Sequence, residues 1–517
     1  MWAGTVTRCG RNTFLVYRDS DGSVASWTYS EFDAIVERTA LALEGRGVRR
    51  GDAVHLALKN SPAFVALWLA TAKIGAWMVT VDPASTARDL ASQIQRTKPV
   101  LGFCASSRSA PYREASVGLL NNIAELHETA ADVTDDSVLV RTDKSATDEP
   151  PTTERAVPAG RDRMALMFTS GTTSAPKGVV LTQRNYHYVS QMMSSLIDLQ
   201  PRHRWLVTLP LFHGNAQFYC FGPAIAVGAS VALTATFSAS GWVSQAHQLE
   251  ATHASLFAAP IRMIIARNPA DAPALSLEHV WFAQSLGKLH YAEFEKIVGC
   301  SPRQLYGMTE TTAVVTADLS QRPGHDIIGA ALPLRSVELR DRLTGERVPV
   351  GKPGVITLRG ERGVDLFDGY LDDPETTDRA MSTVGTETWL STGDLAVSNA
   401  SGIYRFVGRI DDVIKVAGEN VSLTEIEAAL AQAPGILEVA VLAKPDPIRD
   451  QVPVAFVVPR DAANPPSPAD LELWAAINLP PQSRPREWSV IDELPRTSVG
   501  KIRRFQLAKA IDVATPA

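Results

Sequence analysis

Apolar positions recur along this chain in two alternating rhythms. Phe32, Ile35, Val36, Ala40 and Leu43 stand at helical spacing. Ser30 with Asp33 predicts a capping box ahead of them, and Gly45 and Gly47 predict the stop. The next run, 52–58, is short and partly β-branched, which predicts a strand. Residues 64–81 form the most apolar early stretch, but Lys73 and Gly75 interrupt it. That pattern predicts a core helix followed by a core strand, not a membrane span. Strand-like runs at 75–81 and 100–104 continue the alternation, which predicts α/β layers with substantial parallel sheet.

The rhythm breaks at 128–163, which is acidic, Pro-containing and poor in aromatics, and reads as a surface connection. Strong patterning returns at Met164. It changes again near Gly408, where GRIDDVIKVAGENVS precedes an amphipathic run at 424–430. The expected architecture is α/β: a large N-terminal domain of layered sheets with helices, 1–410, and a small mobile α+β C-terminal domain, 411–517. The Pro-rich patch at 464–468 is expected to be a loop, and no internal repeat is visible.

Composition narrows the function class. A chain of 517 residues is long enough for about three units of roughly 150 residues, so it needs no disulfide or metal staples. Lys plus Arg total 50 against 56 Asp plus Glu, a net charge of -6, which argues against nucleic acid as partner. The four cysteines, Cys9, Cys104, Cys220 and Cys300, show no CxxC spacing. They read as reduced thiols of a cytoplasmic protein. The N-terminus lacks the apolar core of a signal peptide.

The densest chemical signal is FTSGTTSAPKGVVLT, 168–182. An apolar strand at 165–168 runs into Thr169, Ser170, Gly171, Thr172, Thr173 and Ser174, whose hydroxyls and backbone N–H groups can converge on one anion. Gly171 and Gly178 let the chain bend, and Lys177 adds positive charge. The spacing is not the GxxxxGK[ST] of a Walker loop, and the Gly500–Lys501 pair fails that pattern because Ile502 follows it.

This loop is one of several ordered motifs: TYSEF, GVRRGD, SGTTSAPKG, LPLFH, YGMTET, STGD, GRIDDVIKVAGENVS and PRTSVGKI. Together they resemble the adenylate-forming superfamily of acyl-CoA synthetases, peptide-synthetase adenylation domains and luciferases. GENVS, the later IRD string and Ser174 look nearest the crotonobetaine/carnitine-CoA ligase-like branch. The resemblance implies ATP and magnesium (Mg2+), with CoA as co-substrate. It places Thr169, Ser170, Gly171, Thr172, Thr173 and Lys177 on the phosphates and Tyr306 against adenine. It places Thr309 on the α-phosphate, Glu310 on the metal, and Asp394 and Arg409 on the ribose. Asp411 takes the hinge position and Lys501 the catalytic position, reaching across from the small domain. Gly418, Glu419 and Asn420 lie in a loop that faces the site in a second conformation, along a pantetheine tunnel. By this resemblance the small domain turns between two half-reactions: adenylate formation, then thiol displacement of AMP.

His213, in LPLFHGNAQF, matches a position that gates the acyl pocket; a satisfied core histidine is the alternative. Amino-acid-activating relatives carry an Asp there, so a free α-amino acid is disfavoured. Asn215, Gln217, Gln284 and Gly287 are the remaining expected pocket residues. Many relatives have Gly-Gly-Ala-Pro where this chain has Ala283-Gln284-Ser285-Leu286-Gly287. A bulkier, more polar wall implies a small, polar or aromatic acid rather than a long fatty acid. The leading function is an acyl-CoA ligase. The alternatives are a stand-alone enzyme loading a separate carrier protein, a diazotase adenylating nitrite for an aryl amine, and a nucleotide-binding pseudoenzyme. A luciferase-like oxidation is least supported.

Overall fold

The computed structural model describes residues 1–139, 157–169, 176–312, 314–496, 502–504 and 506–508. Ser170, Gly171, Thr172, Thr173 and Lys501 therefore lie outside the described residues.

The first long helix, Tyr29–Gly45, corrects the expected cap. Thr28, not Ser30, is the N-cap: its hydroxyl accepts from the Glu31 N–H, and Glu31 accepts from the Thr28 N–H at 2.7 Å. Two Ser/Thr-x-x-acid frames compete here. Thr28 is the extended residue, at φ -72° and ψ 167°, while Ser30 already lies inside the helix, so its frame cannot cap. Asp33 accepts from the Trp2 indole instead, at 2.7 Å. The helix Pro62–Ile74 is apolar on nearly every side and is correspondingly buried. Ser61 caps it, and Gly75 at φ 74° ends it in the left-handed region. The strand Trp77–Thr80 follows at once.

Three sheets are formed among the described residues. The seven-stranded sheet has a parallel centre of Trp77–Thr80, Ala53–Ala57, Leu101–Ala105 and Ile123–Leu126. Arg163–Thr169 joins it in parallel, and Lys177–Thr182 folds back antiparallel. In the 14-stranded sheet, Arg204–Val207, Ser230–Thr234, His253–Phe257, His279–Ala283 and Arg303–Gly307 run parallel. Antiparallel strands, including Glu387–Ser398 and Ile403–Arg409, extend it. The chain leaves this sheet at Arg409 and enters the five-stranded sheet at Val413. The last sheet has its own core, with Ile414, Val421, Ile426, Leu430, Val441 and Val457 buried together. No described helix is long and apolar enough to cross a membrane.

At the amino ends of the parallel strands, three imidazoles stack. His203 and His253 have ring centroids 4.5 Å apart, and His253 and His279 5.8 Å. All three are buried, and burial pushes each below the ordinary histidine value, His253 to about 3. A depressed folded value means that the unfolded chain binds more protons below about pH 6.5. Stability is therefore complete above that pH and lost as pH falls. His253 alone should contribute about 2 kcal/mol of acid destabilisation by pH 5. Thermal melts between pH 7.5 and 5 should fall steeply for the native chain and less steeply for His253→Gln. Parallel slopes would rule out the stack as the cause.

Candidate active site

Several candidate residues, Thr169, Tyr306 and Gln284 among them, stand at or just after the carboxyl ends of parallel strands, where α/β sheets place ligands; Asp394 and Arg409 come from antiparallel strands beside them. Thr169 and Lys177 are Cα partners across the antiparallel pair, so they form the two stems of the 170–176 connection. The Lys177 ammonium sits 5.2 Å from the Tyr370 ring centroid. The positive charge at the end of the 170–176 connection is thus held against an aromatic face.

Tyr306 ends the strand Arg303–Gly307, and Asp394 and Arg409 face each other on neighbouring antiparallel strands. The Tyr306 hydroxyl donates to Asp394 Oδ2 at 2.7 Å, and Arg409 Nε lies 3.1 Å from Oδ1. The Thr392 hydroxyl accepts from the Asp394 N–H at 3.1 Å. Burial, reinforced by Asp394, raises the Tyr306 pKa well above a phenol's ordinary value, so it stays a donor. Burial opposes the Arg409 charge, but Asp394, Asp412 and Glu310 outweigh it and hold the guanidinium above its usual range. The carboxylate is therefore fixed in position between a phenol and a guanidinium.

Glu310 lies in the short turn Thr309–Thr311 and is buried, while Thr309 is half-buried. The Tyr370 hydroxyl donates to Glu310 Oε1 at 3.0 Å. Burial, then Glu310, raises the Tyr370 pKa, which keeps that proton in place. Behind the turn, Arg335 donates to the Thr311 carbonyl at 2.7 Å and the Asp365 carbonyl at 2.8 Å. Asn185 donates to Thr312 Oγ1, Val364 O and Leu366 O. The Glu310 carbonyl accepts from the Phe367 N–H. Sequence reasoning missed Tyr370, Arg335 and Asn185. No local spacing marks them, because Tyr370 and Glu310 are 60 positions apart. Among the described residues no group of three or more His, Cys, Asp or Glu could hold a metal. Glu310 nevertheless fits a hard cation whose other ligands are phosphate oxygens and water.

The expected acyl wall is only partly assembled. His213 is half-buried, edge-on to Phe257 at 5.6 Å, and its Nδ1 accepts from the Asn215 N–H at 3.3 Å. Asn215 is buried; its Nδ2 donates to Ser255 at 3.0 Å, and its Oδ1 carries no hydrogen bond. Gln284 is exposed at φ 73°, a conformation that glycine adopts without strain. Its carbonyl accepts from Gln304 at 3.3 Å. Gly287 caps the helix Lys288–Val298.

Gln217 departs from expectation. It is fully buried, donating to the Leu211 carbonyl at 2.6 Å and accepting from Tyr186 at 2.5 Å. Both ends of its amide are thus taken up within the protein, and it braces the turn that carries His213. Asn60 and Thr80 brace the same turn, bonding Leu209, Leu211 and Phe212. Asp411 is exposed in the turn Ile410–Asp412, and Gly418, Glu419 and Asn420 are exposed at a hairpin tip of the small sheet.

Residues 3–371 match the family model described as AMP-binding enzyme, and 425–501 match the AMP-binding enzyme C-terminal domain. A crotonobetaine/carnitine–CoA ligase of Salmonella paratyphi A is 29% identical over 515 residues, covering 98% of each chain. Among solved structures, an anthranilate CoA ligase in complex with anthranoyl-AMP is 23% identical. It superposes with a TM-score of 0.87 over 99% of this chain and 97% of the other. A benzoate CoA ligase from Burkholderia xenovorans LB400 is 21% identical, with a TM-score of 0.83 and 98% of both chains covered.

Proposed function

Because the chain belongs to the AMP-binding enzyme family and is an AMP-forming ligase of the acid–thiol type, we propose that it adenylates a small polar or aromatic carboxylic acid and passes the acyl group to coenzyme A. The carrying observation is the triad of Tyr306, Asp394 and Arg409 beside the Glu310–Tyr370 pair. One acceptor is held for the ribose, and one carboxylate is held where phosphates meet the 169–177 stem. In this reading Asp394 takes the ribose hydroxyls, Tyr306 lies against adenine, and Thr309 meets the α-phosphate. Glu310 would hold magnesium, which spreads charge from the phosphoryl oxygens as pyrophosphate leaves. Lys177 and the 170–173 loop hold the outer phosphates, and Lys501 supplies the closing positive charge.

Two observations favour the small acid. Asn215 Oδ1 is buried without a partner, which suits a substrate bearing a hydrogen-bond donor. Gln284, at φ 73°, stands where many relatives carry a slender Gly-Gly-Ala-Pro stretch, and in this reading its polar side chain disfavours a long chain. The similar ligases point the same way: crotonobetaine or carnitine, anthranilate and benzoate are small acids. The domain boundary is placed at 410/411, with Asp411 as hinge and the small domain turning between the half-reactions.

The test is pyrophosphate release with ATP and magnesium against benzoate, 2-aminobenzoate, crotonobetaine, palmitate, amino acids and nitrite, with and without CoA. Turnover with a small acid at least ten-fold above palmitate, and thioester formation only with CoA, is expected. AMP formation with nitrite plus an aryl amine, and none with acids plus CoA, would overturn the reading. So would activity confined to palmitate.

A further inference from the structure

The small domain touches the large one at the strand Ile403–Arg409 beside the hinge and, farther away, along two helices that begin at the expected acyl wall. Ala258–Arg267 starts directly after Phe257, and Lys288–Val298 starts directly after Gly287. His290, buried on the second helix, accepts at Nε2 from Arg460 of the small domain at 3.0 Å. A Cβ at Gly287 would lie 3.3 Å from Gln432 Cγ of the small domain. Arg262, on the first helix, has a buried Nε with no hydrogen bond, and it lies in the field of Glu438, Arg496 and Glu427. Burial pushes the Arg262 guanidinium below its usual value, and the two carboxylates oppose that fall. Burial, with Arg262 and Arg460 nearby, lowers His290 to about 4, so its ring is a neutral acceptor at neutral pH. Glu438 in turn holds Arg496 at 2.5 Å. Beside the hinge the seam carries the Arg405–Glu425 ion pair at 3.0 Å and the Ser422 hydroxyl donating to the Val407 carbonyl at 2.7 Å; away from the hinge it carries the Arg460–His290 hydrogen bond and the charges around Arg262.

We propose that the Arg460–His290 hydrogen bond and the Arg262–Glu438–Arg496 cluster form a latch that sets how long the small domain stays in this orientation. The latch thereby sets the split between adenylate formation and acyl transfer. The proposal rests on the two-step ligase reading above. The orientation held here is assigned to the first step, because residues 417–420 are exposed rather than turned onto the site. These groups act through domain position and are positioning residues, not catalytic ones.

Two measurements decide it. Gly287→Cys with Gln432→Cys should form a disulfide under mild oxidation, since the Gln432 Cγ position approximates the sulfur. Adding Arg460→Ala and Glu438→Gln to that pair should slow cross-linking at least five-fold. An unchanged rate removes the latch, and this readout needs no substrate, so it stands whether or not the ligase reading survives. In the chain without the added cysteines, Arg460→Ala with Glu438→Gln should slow pyrophosphate exchange about five-fold, using the most active acid of the panel. Thioester formation from the preformed adenylate should be unchanged or faster. An equal fall in both half-reactions would mark general damage and refute the assignment.

Discussion

Replacing Glu310 by glutamine is expected to lower the rate of pyrophosphate release by about 10²–10³-fold, the loss seen when one preorganised electrostatic contact to a transition state is removed. The side chain keeps its size, so the turn Thr309–Thr311 should survive: Arg335 and Asn185 hold it from behind without touching the carboxylate. What changes is charge. A neutral amide cannot bind a hard cation as a carboxylate does, so the magnesium concentration for half-maximal rate should rise steeply. Tyr370→Phe separates orientation from charge. It removes the 3.0 Å hydrogen bond to Oε1 but leaves the ring that carries Lys177. A loss of about ten-fold or more is expected, the scale of one hydrogen bond to a charged group. If Glu310→Gln retains native magnesium dependence, the carboxylate is not the metal ligand, and its tie to Tyr370 is purely structural.

These two residues also show what could be read from the chain alone. Glu310 stands in YGMTE, a short string whose order with other motifs carries meaning. Tyr370 stands in FDGY, which carries none. Its place arises because Gly369–Tyr370 pairs with Lys177–Thr182, bringing it beside both Lys177 and the Glu310 turn. Such a role is set by sheet order, not by spacing. The same holds for Gln217. Proximity to His213 in sequence suggested the pocket, but a π-helical turn at Asn215–Phe221 aims it at Leu211 and Tyr186 instead. The α/β alternation was legible because strands buried on both faces are nearly continuous apolar runs, as in Ala53–Ala57 and Leu101–Ala105. The Thr28 cap was not, because two frames fit the pattern and only the backbone, extended at Thr28 and helical at Ser30, decides between them. The candidates in 170–173 and Lys501 lie outside the described residues, so their roles rest on the resemblance alone.

Asp394→Ala should raise the KM for ATP by about 30- to 300-fold, matching the roughly 2–3.5 kcal/mol lost when a buried charged acceptor is removed from its partners. Part of that loss comes from the protein itself. Arg409 would keep Asp412 and Glu310 nearby but lose the carboxylate at 3.1 Å, and the Tyr306 hydroxyl would lose its 2.7 Å acceptor. A rise in KM alone therefore does not establish a ribose contact. Comparing ATP with 3′-deoxy-ATP does. If Asp394 accepts from the ribose, the native enzyme should discriminate against the deoxy nucleotide by about ten-fold or more, the scale of one hydrogen bond to a charged group. Asp394→Ala should then treat both nucleotides alike, since a cycle isolates the contact that both changes remove. Tyr306→Phe should weaken ATP modestly and keep the discrimination, because the carboxylate remains with Arg409 beside it. Should Asp394→Ala still prefer ATP over 3′-deoxy-ATP by the native factor, the ribose lies elsewhere. Asp394 would then serve only to anchor Tyr306 and Arg409 where the last strand of the large sheet hands the chain to the small domain.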